Sequence, residues 1–156
     1  MAMDPVLLLV EDDDADALLV GRAIRKAQLS VRLHRVKDGE QAIEYLSGHQ
    51  EYADRAAYPP ASVVLLDIKL PRRDGFEVVT WLRRQPRPLS RTAVVMFTSS
   101  GRPVDVNRAY ELGANSYLRK PDQHNELVAT LSTFNEFWLS RCALPEVASG
   151  PATDDA

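Results

Sequence analysis

Glu11, Asp12, Asp67, Thr98 and Lys120 all stand at the ends of apolar or mixed runs. Val6-Leu7-Leu8-Leu9-Val10 leads into Glu11-Asp12-Asp13-Asp14, and Val63-Val64-Leu65-Leu66 into Asp67. Ala93-Val94-Val95-Met96-Phe97 leads into Thr98-Ser99-Ser100, and Ser116-Tyr117-Leu118-Arg119 into Lys120-Pro121. If these runs are parallel strands, their carboxyl ends gather on one edge and bring acids, a hydroxyl and an ammonium together. Three carboxylates cannot sit a few ångströms apart, all ionised and unpaired. A hard cation resolves that conflict, and Mg²⁺ takes one or two carboxylates, waters and phosphate oxygens in octahedral geometry. Glu11, Asp12 and Asp67 form the expected metal set. The backbone carbonyl of Lys69 is a further candidate, because the turn after Asp67 can fold it back.

An aspartate can also act as a nucleophile and form an aspartyl phosphate. Phosphoryl transfer needs the charge on the equatorial oxygens neutralised. Lys120 supplies a cation, Thr98 a hydroxyl, and the backbone N–H groups after Asp67 and at Ser99 complete a cradle. A haloacid-dehalogenase-type phosphatase would carry a second acid two residues after its nucleophile. Here that position is Lys69, which argues for a lasting phosphoryl mark rather than turnover of external substrates.

The elements that must position these groups can be read from pattern. Four consecutive apolar residues before Asp67 read as a buried parallel strand, and Pro71 with Asp74-Gly75 marks the turn beyond it. Asp12, Asp13 or Asp14 caps a first helix carrying Leu18, Leu19, Ala23 and Ile24. Val31 to Val36 alternates as a strand nearer an edge, with His34 as a strand-surface residue. Asp38-Gly39 opens a short helix with Ala42, Ile43 and Leu46. Ser47 to Ala61 is either a long loop or a helix extension followed by a loop. Asp74 opens a helix with Phe76, Val79 and Leu82 inward, broken at Pro86 and Pro88. Thr92 to Phe97 and Asn115 to Arg119 are strands, separated by a helix with Pro103 in its first turn and Gly113 at its end. Asp122 is the expected cap of a last helix bearing Leu127, Val128, Leu131, Phe134, Phe137 and Trp138. The alternation of strand and helix predicts an α/β fold, a doubly wound (βα)5 flavodoxin-like sandwich around a parallel five-stranded sheet of order 2-1-3-4-5. That order sets the first and third strands side by side.

Length and composition bound the rest. The 156 residues suit one domain, expected over residues 1–140, with residues 141–156 as a flexible tail or dimer arm. The net charge of −3 gives no nucleic-acid footprint, and the pieces Arg72-Arg73, Arg83-Arg84 and Arg87 read as a solvated face. One cysteine forbids an internal disulfide and suits a reducing cytoplasm. No signal peptide is expected, because no basic region precedes the first apolar run, and no run reaches the ~20 residues of a membrane span.

Taken together, Glu11-Asp12, Asp67 with Pro71 and Asp74-Gly75, Thr98 with small Ser99, and Lys120-Pro121 resemble the receiver domains of two-component response regulators, from about Val6 to Trp138. The resemblance implies phosphorylation of Asp67 by a sensor histidine kinase with Mg²⁺, and a signal passed on through protein–protein contacts. It implies that Tyr117 is a switch aromatic whose ring turns inward as Thr98 moves toward the phosphoryl group. With no output domain expected, the chain is similar to stand-alone regulators. Its long loop before the central strand and its ending Phe134-Asn135-Glu136-Phe137-Trp138-Leu139 resemble those paired with phytochrome-type kinases. That sub-family implies a homodimer through the fourth helix, fifth strand and fifth helix, with Tyr110, Phe134, Phe137 and Trp138 as the partner face. The aromatics can instead close the core. Two other functions use the same residues: a Mg²⁺-dependent phosphohydrolase, and a docking module that needs no phosphorylation. Where many receivers carry an aromatic after the Lys-Pro pair, this chain has Asp122.

Overall fold

The computed structural model describes residues 3–147. Five strands, β1 (Val6–Val10), β2 (Arg32–Val36), β3 (Val63–Leu66), β4 (Ala93–Thr98) and β5 (Ser116–Arg119), form one parallel sheet. Their order is β2-β1-β3-β4-β5, as the sequence predicts. Five helices alternate with them: α1 (Asp14–Lys26), α2 (Gly39–Ser47), α3 (Gly75–Arg83), α4 (Pro103–Leu112) and α5 (His124–Phe134). A π-helical segment, Asn135–Arg141, continues α5.

The sheet is buried on both faces, so β1, β3 and β4 read as unbroken apolar runs rather than as alternation. The alternation reappears in the packing, since successive side chains of a strand point to opposite faces. Leu8, Val10, Val64, Leu66, Val94 and Met96 pack with α2 and α3 and with Ala109 of α4. Leu7, Leu9, Val63, Leu65, Val95 and Phe97 pack with Val20, Ala23 and Ile24 of α1 and with Leu127, Leu131 and Phe134 of α5.

Helix starts follow side-chain chemistry. Of the three candidate acids, Asp13 caps α1, its carboxylate accepting from the Asp16 N–H at 2.9 Å. Asp38 caps α2, and Asp74 caps α3 in a reciprocal pair with Glu77. Asp122 is not a cap. The first turn of α5 is set one residue later, where the Gln123 carbonyl accepts from Leu127 N–H at 3.0 Å. The start is fixed by burial of Leu127, Leu131 and Phe134, not by a side-chain cap.

Other expectations change as well. The stretch from Ser47 to Ala61 contains a 3-10 turn at Gln50–Tyr52 that buries Tyr52. Arg83 is no part of a solvated face. It is half-buried and donates to the carbonyls of Gly113, Ser90 and Thr92 and to Asn115 Oδ1, tying the end of α3 to the start of β4 and to the approach to β5. Phe134 is 4% exposed and belongs to the core, so it offers little to an outer face. The expected tail begins inside the π-helical segment, and Leu144 packs against the α1–α5 core. Residues 148–156 of that tail lie outside the described residues.

Candidate functional site

The carboxyl ends of β1 and β3 lie together because the two strands pair in register, Val10 beside Leu66. The next residues, Glu11 and Asp67, therefore leave the sheet side by side. Asp67 N–H still donates to the Val10 carbonyl at 3.2 Å, and Glu11 N–H to the Val36 carbonyl at 3.1 Å. Both residues are buried, at 2% and 7% exposure, while Asp12 is exposed. One carboxylate oxygen from each of Glu11, Asp12 and Asp67 lies within 4.8 Å of the others.

The loop after Asp67 is pressed back against it. Ile68 N–H donates to Asp67 Oδ1 at 2.7 Å, and Gly75 N–H to the Ile68 carbonyl at 2.8 Å. A Cβ on Gly75 would overlap the Asp67 carbonyl oxygen, so only glycine allows α3 to begin this close. Lys69 is exposed in this loop. Arg35 of β2 steadies the other side, its Nε donating to the Glu11 carbonyl at 2.9 Å.

Lys120 closes the pocket from the end of β5. Its N–H donates to the Thr98 carbonyl at 2.8 Å, and its ammonium donates to Asp67 Oδ2 at 2.8 Å, to Asp16 Oδ2 at 3.3 Å and to Glu11 Oε1. Thr98 is 2% exposed at the last position of β4, and Ser99 is exposed just beyond it. Because Leu66 is level with Met96, Asp67 comes level with Phe97 and Thr98 one residue further along. Tyr117 pairs with Met96, and its hydroxyl donates to the Ser100 carbonyl at 2.8 Å, tethering the ring to the loop between β4 and α4.

One ammonium bonds three carboxylates here, and Asp12 adds a fourth acid beside Glu11 and Asp67. Burial pushes the Glu11 carboxyl up to about 7, helped by the Asp67 charge and only partly offset by the bond from Lys120. Burial alone would lower the Lys120 ammonium, yet its bonds to Asp67 and Glu11 outweigh that and hold it above its ordinary value. The pocket thus keeps an uncompensated negative charge in a half-buried place. That donor set, oxygen only and clustered, fits a divalent hard cation.

Sequence reasoning missed two of these residues. Asp16 and Arg35 reach the site only through side-chain contacts across elements, and the only trace of Asp16 in the sequence is one more acid in an acid-rich turn.

A family model of the response regulator receiver domain matches residues 7–132. The chain belongs to that family. It is a receiver domain of two-component response regulators, with the flavodoxin-like sheet order described above. Among its relatives is the probable methanogenesis regulatory protein FilR2 of Methanothrix harundinacea, 38% identical over 88% of this chain and 86% of that protein. The crystal structure of response regulator RPA3017 in red light signaling of R. palustris superposes with a TM-score of 0.87, at 34% identity over 92% of this chain and 99% of that one. The phosphorylated cyanobacterial phytochrome response regulator RcpA superposes with a TM-score of 0.83, at 32% identity over 92% and 99%. Among the described residues, no helix of the receiver is long and apolar enough to cross a membrane.

Proposed function

We propose that Asp67 is the phospho-acceptor of this receiver and that a sensor histidine kinase is its donor. The observation that carries this is the Lys120 ammonium, 2.8 Å from Asp67 Oδ2 at the end of the central strand. An Asp67 carboxylate oxygen attacks phosphorus, the P–N bond of a phosphohistidine breaks with its electron pair going to the imidazole nitrogen, and that nitrogen takes a proton from solvent as it leaves. Lys120 binds one phosphoryl oxygen, and the Thr98 hydroxyl and Ser99 N–H bind others. Glu11, Asp12, Asp67 and the Lys69 carbonyl would hold Mg²⁺, which supplies charge neutralisation for the transferred group. The phosphoryl charge added at Asp67 and the new bonds to Thr98 bias the loop that Tyr117 is tethered to, a local change read out on the α4–β5–α5 side. We read the chain as an acceptor and not as an enzyme on external substrates, because Lys69 occupies the position of a phosphatase's second acid.

Acetyl phosphate with Mg²⁺ tests this. One added phosphoryl mass that needs both Mg²⁺ and Asp67, and is absent from Asp67→Asn, is the expected result. Adduct on Asp67→Asn at the wild-type level overturns the assignment. Steady phosphate release from small phosphomonoesters would favour the phosphohydrolase.

The place of RPA3017 in red light signaling and of RcpA as a phytochrome response regulator supports a phytochrome-type kinase as the partner and light as the ultimate input. FilR2 shows that a chain about as similar is named for methanogenesis, so the input is tested by transfer from a phytochrome kinase, not read from the fold. Cytoplasmic residence belongs to the same reading, supported by the lone cysteine. A second copy of this chain is the proposed partner of the α4–β5–α5 side. Tyr110 is 49% and Phe137 56% exposed, and Phe137 meets Trp138 edge-on at 5.5 Å beside a groove of about 440 Å³. Sedimentation of Phe137→Glu as a monomer, against a wild-type dimer, is the expected outcome.

A further inference from the structure

Asp16 is the third partner of the Lys120 ammonium, and the acceptor role of Asp67 does not use it. Its place on α1 explains why it is free to do so. Asp16 is three residues after the cap Asp13, where an acidic side chain would ordinarily reach back to the cap's N–H. That N–H is already taken, since Asp13 N–H donates to Glu11 Oε2 at 3.3 Å. The Asp16 N–H satisfies Asp13 Oδ1, and its carboxylate turns across to Lys120 at 3.3 Å. The two residues also line a small cleft with Leu19, Phe97 and Pro121, so the contact sits between α1 and the end of β5.

The other two partners of Lys120 have competing claims on their oxygens. Glu11 and Asp67 both belong to the set that would hold a cation, and Asp67 is the acceptor itself. Asp16 lies outside that set. Its side chain is 47% exposed against 15% for Lys120, so it faces the ammonium from the solvent side. We propose that Asp16 is a positioning residue for Lys120: it keeps one carboxylate on the ammonium while Glu11 and Asp67 are engaged elsewhere, and so holds the Lys120 side chain where a phosphoryl oxygen will arrive.

This inference rests on Asp67 being the acceptor, and its test separates the two. Wild-type protein, Asp16→Asn and Asp16→Glu are labelled with acetyl phosphate and Mg²⁺, and Mg²⁺ affinity is measured by calorimetry. A contact that is half solvated predicts labelling of Asp16→Asn slowed about two- to fivefold, with Mg²⁺ affinity within twofold of wild type. Asp16→Glu, which keeps the charge, recovers at least half of the lost rate. A second measurement needs neither labelling nor cation. In EDTA, the urea midpoints of Asp16→Asn, Lys120→Met and the double variant are compared. The effect of Asp16→Asn shrinks at least twofold when Lys120 is already gone.

If wild type takes no label, the acceptor reading fails, and the EDTA cycle still decides the Asp16–Lys120 contact. If wild type labels and Asp16→Asn labels at the same rate, the positioning role is wrong. It is equally wrong if Mg²⁺ affinity falls in step with the rate. Undiminished destabilisation in the Lys120→Met background would make Asp16 a first-turn acid serving the α1 dipole and nothing more.

Discussion

Two regions of this receiver collect polar side chains at the margin of the sheet, and they treat them in opposite ways. At the carboxyl edge, Glu11, Asp67 and Asp16 share one ammonium, and Asp12 beside them leaves negative charge over. Against α2, Tyr45, Tyr52 and Tyr58 stack edge-on or tilted at 5.1–6.2 Å, and the hydroxyl of Tyr45, the most buried of the three, has its partner. Tyr45 donates to the Pro59 carbonyl at 2.7 Å, and Arg55 donates to the Tyr45 carbonyl at 2.8 Å while lying 5.5 Å from the Tyr45 ring centroid. Burial pushes the Tyr45 and Tyr52 hydroxyls up to about 12, so both stay protonated. A satisfied cluster stabilises and has nothing further to bind. An unsatisfied one is less stable alone, which suits the cation and phosphoryl group proposed for it.

Substitutions should split along that line. Tyr45→Ala removes a ring that is 1% exposed and is expected to cost about 3–5 kcal/mol in urea unfolding. The fraction that remains folded should label at the wild-type rate. A labelling defect beyond the loss of folded protein would mean that the two regions are coupled. Arg83→Ala extends the satisfied class to the far end of α3. It takes a donor from the carbonyls of Gly113, Ser90 and Thr92, while Asn115 Oδ1 keeps the Val94 N–H, and should cost about 1–3 kcal/mol, again with normal labelling.

The site edge should answer with the opposite sign. Asp67→Asn removes one carboxylate from a surplus, and Lys120 keeps Glu11 and Asp16 as partners. In EDTA the variant is expected to be more stable than wild type by about 0.5–2 kcal/mol, the common yield of a single stabilising substitution. Saturating Mg²⁺ should close the gap, because binding stabilises the chain that holds the full acid set. A variant less stable than wild type in EDTA would show that the acids are already balanced.

The contrast also marks what the sequence makes legible. β1, β3 and β4 are buried on both faces, so their runs and the acids at their ends stand out without any structure. Glu11, Asp12, Asp67 and Lys120 follow from strand ends alone, and parallel order does the rest. The aromatic cluster does not show, because Tyr45, Tyr52 and Tyr58 share no period and meet only when the 3-10 turn at Gln50–Tyr52 folds over α2. Arg83 looks like any surface arginine, since its acceptors are backbone carbonyls with no signature in the sequence. Asp122 was the better cap by composition, yet packing of α5 on the α1 side of the sheet set the start at His124. Asp16 was hidden among four neighbouring acids. Local chemistry is written at strand ends, and contacts across elements are not.

The smallest effect tests the comparison through pH. Burial holds the Glu11 carboxyl at about 7, above its ordinary 4.5, among Lys120, Asp67 and the Asp13 N–H. Between those values the folded chain binds more protons than the unfolded one, so this group makes stability fall as pH rises. His34 behaves oppositely. Its ring lies 5.8 Å from Tyr45 and 6.1 Å from Tyr58, and burial, aided by the charge of Arg32, holds it below its ordinary 6.5. There the unfolded chain binds more protons, so stability falls as pH drops below that value. Urea unfolding in EDTA across the weakly acid to neutral range should therefore show a shallow profile for wild type. Glu11→Gln leaves the His34 trend and makes stability rise with pH, while His34→Phe leaves the Glu11 trend and makes it fall. Parallel profiles in all three proteins would mean that neither group titrates differently on folding. Divergence in the stated senses would show the crowded edge and the aromatic cluster pulling against each other in one domain, with Mg²⁺ expected to flatten only the Glu11 contribution.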